Sequence, residues 1–162
     1  MYLNVGIGLR YAKSRRGQGT NMRLTMFTDY ALRVLLVLSA RRDGLVTIAE
    51  VSESFKISET HLMKVANALA HTGWVETVRG RGGGMRLAAD PARLTLREIV
   101  ETLESDFAVV ECLGVENRCV LTGGCGVERA LTKAMRAFFQ ELERYTLADL
   151  TARSTALKRL ST

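Results

Sequence analysis

Three cysteines, the chain's whole complement, fall within a 14-residue window as Cys112, Cys119 and Cys125. Structural disulfides are rare inside cells, so metal or redox chemistry is the better starting point for such a cluster. Soft thiolates select zinc, copper(I) or iron-sulfur clusters. Structural zinc usually takes four protein ligands in closely paired cysteines, and this spacing contains no such pair. The wider intervals, with Gly114, Gly123, Gly124 and Gly126 nearby, suit wrapping an iron-sulfur cluster. Zinc, and three buried or merely reactive thiols, stay open as alternatives at this level. No histidine lies in the window: His61 and His71 are both far upstream. A fourth ligand would therefore be Glu111, Glu116, Glu128 or a carboxylate from elsewhere, a weak and exchangeable ligand for a soft cluster. A thiol redox enzyme using Cys119 and Cys125 is disfavoured, because no Cys-x-x-Cys stands at a helix start and no convincing catalytic base is near. The chain is read as a non-enzyme.

Several elements must position this window. Thr28-Asp29 reads as the cap of a strongly apolar helix over Tyr30 to Ala40, with Leu32, Leu35, Leu36 and Ser39 on one face. Thr47 with Glu50 forms a capping box opening Ile48 to Phe55, and Ser58 caps a helix running to about Ala70. Gly73 ends that helix. Trp74 to Val78 and Met85 to Leu87 then read as two short strands flanking the glycine-rich basic tip Arg79 to Gly84. Pro91 closes the unit, and Thr95 with Glu98 caps a further helix through Leu103. Residues 106–126 break the pattern and form a loop too long to be an ordinary connection. Val127, Ala130, Leu131, Ala134, Met135, Phe138, Leu142 and Tyr145 recur at three and four, a long helix whose apolar stripe points to a partner chain. Thr146 with Asp149 caps a short last helix before a polar tail.

Helix, capped helix, turn, capped helix and hairpin is the order of a winged helix-turn-helix, whose second turn-motif helix enters the major groove of double-stranded DNA. On that helix Leu62, Val65, Ala66 and Leu69 face the core. Ser58, Glu59, Thr60, His61 and Lys64 are left near its N-terminal half for base edges and phosphates. Arg79 and Arg81 on the glycine-flanked tip can enter a groove or pair with phosphates. The glycines form no phosphate-binding P-loop, since no Gly-Lys-Ser/Thr follows.

The fold class is thus mainly α: a winged helix-turn-helix DNA-binding domain with a two-stranded β wing, plus a long C-terminal dimerisation helix. Net charge is +6, but Arg10, Lys13, Arg15 and Arg16 in residues 1–21 carry four of those charges with no acid among them. Bulk charge therefore decides little, and DNA binding rests on placed residues. No apolar run approaches the ~20 residues of a membrane span, and the N-terminus lacks the apolar core of a secretory signal, so the chain is expected in the cytoplasm. Residues 1–21 read as a disordered extension, with Met22 a candidate true initiator and a basic DNA-contacting arm the alternative. Residues 22–90 form the DNA-binding domain, 91–126 the linking helix and cysteine loop, and 127–162 the dimerisation helix and tail.

The stretches Met22 to Arg33 and Val78 to Gly84, the three cysteines, and Tyr145 to Leu150 together resemble the Rrf-type family of winged-helix iron-sulfur transcriptional regulators. Within it they are most similar to the nitric-oxide-sensing repressors. The resemblance covers Met22 to about Leu150. It implies a homodimer held by the long C-terminal helices, with Cys112, Cys119 and Cys125 ligating a cluster in each subunit, 4Fe-4S in preference to 2Fe-2S. It also implies a fourth ligand from an aspartate near the start of the first helix of the other subunit, which matches Asp29. A sister branch uses a histidine three residues after its last cysteine, where this chain has Glu128, the second candidate ligand. The interval between Cys112 and Cys119 is a residue or two longer than the family's. The function implied is repression at a pseudo-palindromic operator, lifted when nitric oxide attacks the cluster and nitric oxide detoxification genes are released. The alternative is a regulator that reads iron or cluster supply.

Overall fold

The structure, a computed structural model, describes residues 23–115, 117–155 and 157. The expectations for residues 1–22 and for Glu116 lie outside the described residues. Among these residues six α-helices and one hairpin follow in order: α1 Met26–Ala40, α2 Ile48–Phe55, α3 Glu59–His71, β1 Val75–Val78, β2 Gly84–Leu87, α4 Leu96–Leu103, α5 Gly126–Glu143 and α6 Leu147–Ala152.

Helix α1 begins four residues earlier than the sequence pattern indicated. Its cap is Thr25, whose hydroxyl accepts from the Thr28 backbone N–H, while Thr28 itself is fully buried inside the helix. A distant carboxylate completes this terminus: Glu104, the C-cap of α4, accepts from the Thr25 backbone N–H at 2.7 Å and from its hydroxyl at 3.0 Å. A negative group there also complements the positive end of the helix. The buried face differs too. Ala31, Val34, Leu35 and Leu38 are wholly enclosed, with Ser39 buried, whereas Leu32 and Leu36 are only partly buried. The helix is apolar nearly all round, so its contacts with α3, α4, α6 and β2 decide the orientation.

The turn motif forms as its caps dictate. Thr47 and Glu50 make both halves of a capping box for α2, and the Ser58 hydroxyl caps α3. Between them Lys56 takes the left-handed conformation (φ 55°), which turns the chain, and Ile57 is buried with its carbonyl held by the Ser52 hydroxyl at 2.7 Å. Leu62, Val65, Ala66 and Leu69 of α3 enter the core as expected. Each such large side chain contributes about 1.5–3 kcal/mol on leaving water.

Strands β1 and β2 pair antiparallel, Val75 opposite Leu87 and Val78 opposite Gly84. Val46 bridges to Met85 by two backbone hydrogen bonds of 2.9 and 2.8 Å, so the hairpin's root is pinned to the segment before α2. The second strand starts one residue before the expected Met85, because Gly84 joins the ladder.

The chain beyond α5 returns to the head. The Leu147 N–H donates to the Leu94 carbonyl at 2.8 Å, and the Leu96 N–H donates to that of Tyr145 at 2.8 Å. Leu147 is fully buried, Leu157 also joins the core, and the Thr151 hydroxyl bonds that of Ser39 on α1 at 2.9 Å. The capping box of Thr146 and Asp149 is present on α6. Helix α5 contains no buried residue, and Gly126, expected in the loop, is its first residue.

Candidate functional site

The reading head presents one polar surface. Ser58, Glu59, Thr60, His61 and Lys64 are all exposed at the N-terminal half of α3, and Arg79 and Arg81 are exposed at the hairpin tip. Among the described residues no ion pair engages Lys64, Arg79 or Arg81, whereas Arg86 on the same hairpin is spent on Glu76 across the ladder at 2.8 Å. His61 is held in place: its Nδ1 lies 3.0 Å from the Ser58 hydroxyl, and its ring lies 6.2 Å from that of Tyr30 on α1. The tip turns on glycines at positive φ, 100° at Gly80 and 76° at Gly82. Gly83 has no room for a side chain, since a Cβ would meet the carbonyl oxygens of Val78 and Gly80.

Beyond the residues expected from the sequence, α3 also exposes Met63, Asn67 and, at its last position, His71. Thr60, Lys64 and Asn67 recur at four and three, the helical spacing of one face, and that regularity was the available signal. An asparagine carboxamide can pair bidentately with an adenine edge.

The cysteine window lies between α4 and α5. Its start is fixed by Phe107, which meets Phe139 of α5 edge to face at 4.8 Å. Arg97 of α4 stacks over Phe139 at 5.7 Å and reaches Glu143 at 3.6 Å. A 3-10 turn over Glu111–Leu113 carries Cys112, and Cys125 is the N-cap of α5. All three cysteines are free and half-buried. Partial loss of water raises the Cys112 thiol above its usual range, and the charges of Cys119, Glu128 and Cys125 add to the rise. Glu128 turns back to accept the Gly123 N–H at 2.8 Å, and Glu111 accepts that of Arg118 at 3.1 Å. Among the described residues no three histidine, cysteine or acidic side chains converge closely enough to hold a metal ion.

Within the protomer Asp29 is engaged elsewhere than at these cysteines. Both its oxygens accept from Arg33 one helical turn on, at 2.7 and 3.2 Å, and the Arg33 guanidinium also lies 5.7 Å over the Phe55 ring of α2.

The family model described as Rrf2, iron-dependent transcriptional regulator, matches residues 24–153. The chain belongs to the Rrf2 family. The HTH-type transcriptional regulator NsrR of Bacillus subtilis (strain 168) is 47% identical over 131 residues, 80% of this chain and 90% of the relative. NsrR of Bacillus licheniformis is 41% identical over 141 residues, 86% of this chain and 99% of the relative. Among solved structures, CymR, described as the global cysteine regulator of B. subtilis, superposes with a TM-score of 0.67 at 23% identity, covering 83% of this chain and 99% of its own, a likeness of fold. As a member of the Rrf2 family the chain is a DNA-binding transcriptional regulator with a winged-helix fold, and not an enzyme. No helix among the described residues is long and apolar enough to cross a membrane.

The donors of the Rrf2-family chain fit iron in an iron-sulfur cluster. Three free thiols on a loop of little secondary structure are soft ligands of the kind a cluster takes, and the loop would have to draw them together, since no three metal-binding side chains converge among the described residues. A carboxylate, from Glu128 or from outside the loop, is the chemistry left for a fourth position.

Proposed function

We propose that this Rrf2-family regulator is a cytoplasmic homodimeric repressor. It binds a pseudo-palindromic operator while it holds a 4Fe-4S cluster, and releases the DNA when nitric oxide reacts with that cluster, freeing nitric oxide detoxification genes. The observation that carries this reading is the gathering of three free, half-buried cysteines in the one long loop that joins the head to α5. The resemblance of that pattern to the nitric-oxide-sensing branch, and the NsrR relatives, support the choice of effector.

In this reading Cys112, Cys119 and Cys125 hold the cluster with the partner subunit's Asp29. When bound, the cluster supplies iron that reacts with nitric oxide. The chain's own residues supply the rest. The thiolates fix the loop, and Asp29 exchanges its pairing with Arg33 for the partner's loop. That cross-subunit tie sets the spacing of the two heads, and its loss shifts the dimer to an arrangement that no longer fits successive major grooves. On DNA, Ser58, Glu59, Thr60, His61, Lys64 and the added Asn67 meet the major groove, and Arg79 and Arg81 meet the flanking groove or phosphates. The apolar stripe of α5, with Val127 60% and Phe138 41% exposed, is the surface the second subunit covers.

The test is Cys119→Ser, handled anaerobically beside wild type. The expected outcome is a folded dimer that has lost operator binding. Operator affinity equal to wild type in that cluster-free variant contradicts the reading.

A further inference from the structure

We propose that Asn117 is the positioning residue of the cysteine loop: its carboxamide, with the Thr122 hydroxyl, ties the backbones of Cys112 and Cys119 together, so that less of the loop has to be ordered when a metal draws the thiols in. The inference rests on the reading of these cysteines as metal ligands.

A carboxamide is suited to this because it donates and accepts at once. The Asn117 Nδ2 donates to the Cys112 carbonyl at 3.4 Å and to the Thr122 hydroxyl at 2.9 Å, while Oδ1 accepts from the Cys119 N–H at 2.9 Å. The Thr122 hydroxyl in turn donates to the Cys119 carbonyl at 2.8 Å. The circuit thus joins Cys112 to Cys119 across the interval between them, and Asn117 lies inside that interval. Hydrophobic burial does not order this stretch. Val115, Val120 and Leu121 all point to solvent, and no residue between Glu111 and Gly124 is buried among those described. Polar ties are what remains, and among the described residues the Asn117–Thr122 pair is the one that touches the backbones of two cysteines. Groups that orient metal ligands in this way typically change metal affinity by about 10–100-fold when removed.

The experiment titrates metal-free, reduced protein with cobalt(II) alone in competition with a chelator, reading the thiolate-to-cobalt absorption, for wild type, Asn117→Ala, Thr122→Val and Thr122→Ser. Asn117→Ala and Thr122→Val are each expected to bind cobalt about 10–100-fold more weakly, with the same band intensity at saturation and an unchanged Tm. Thr122→Ser keeps the hydroxyl and is expected to bind like wild type. The inference is overturned by any of four results: wild-type affinity in Asn117→Ala, a Thr122→Ser as weak as Thr122→Val, a Tm that falls in step with affinity, or a wild type without thiolate bands. Reconstitution of wild type with iron and sulfide separates the two readings. A colourless product beside the expected cobalt series contradicts the cluster and leaves the positioning role intact.

Discussion

The ion pair of Asp29 and its proposed ligation of the partner's cluster can be separated by one substitution. In the protomer Asp29 is a first-turn acid paired with Arg33 at half-exposed positions, so the pair is worth at most about 1 kcal/mol in water. Asp29→Ala is therefore expected to cost no more than about 1 kcal/mol of unfolding free energy, measured by denaturant titration. The same variant is expected to alter the visible spectrum and shorten the lifetime of the cluster under air. An unchanged spectrum and lifetime would leave Asp29 only its ion pair. The capping carboxylates make a prediction about acid. Hydrogen bonds from the Thr47 backbone and hydroxyl, with Arg41, hold Glu50 below its ordinary 4.5, and those from Thr146 hold Asp149 below 3.8. A lowered native value contributes stability above the ordinary value, which is lost as pH falls through the native one. Tm is thus expected to drop as pH falls below about 4.5, and to drop less steeply in Thr47→Ala, which has already lost its cap; parallel acid limbs would contradict this. These caps were legible because each is a four-residue pattern. Asn117 was not, since its partners span a loop with no periodicity.

Among the elements, the hairpin tip is the most constrained. Gly83→Ala puts a methyl group against two carbonyl oxygens, so the turn that carries Arg79 and Arg81 has to open. The core beneath, pinned by Val46 and Met85, is untouched. Operator affinity is expected to fall by about 1–3 kcal/mol, the worth of a lost groove contact, measured by fluorescence anisotropy, while the helical content of the head is retained. Full affinity would remove the wing from the interface. Short helices α2, α3, α4 and α6 could be read from their caps, and the strands from their β-rich composition and glycine punctuation. Helix α1 could not be bounded so well. Thr25 and Thr28 are equally good local caps, and the choice is made by Glu104, 79 residues away, with the burial of Thr28. Its face was misjudged for a related reason: a nearly all-apolar helix takes its orientation from α3, α4 and α6, which its own period does not encode.

At the scale of the whole molecule, the described chain closes on itself: Leu147 and Leu157 pack into the head, so α5 leaves the core and the chain returns to it, with the apolar stripe unburied in between. Nothing in the tail's composition announced that return; Leu147, Leu150 and Leu157 are spread among alanines and polar residues, with no stripe long enough to assign the surface it meets. A dimer formed through the stripe is expected to dissociate in the double variant Ala134→Glu, Phe138→Glu, because two charges would be buried without partners. Sedimentation velocity would then show a folded monomer; a persisting dimer would place the interface elsewhere. The central claim, that nitric oxide acts through a cluster on the three cysteines, is tested most directly by titrating anaerobically purified protein with nitric oxide while following its visible absorbance. The account predicts a brown band, absent from Cys119→Ser, that is lost in proportion to the nitric oxide added. A colourless protein after anaerobic handling and iron supply, or a band indifferent to nitric oxide, would contradict it.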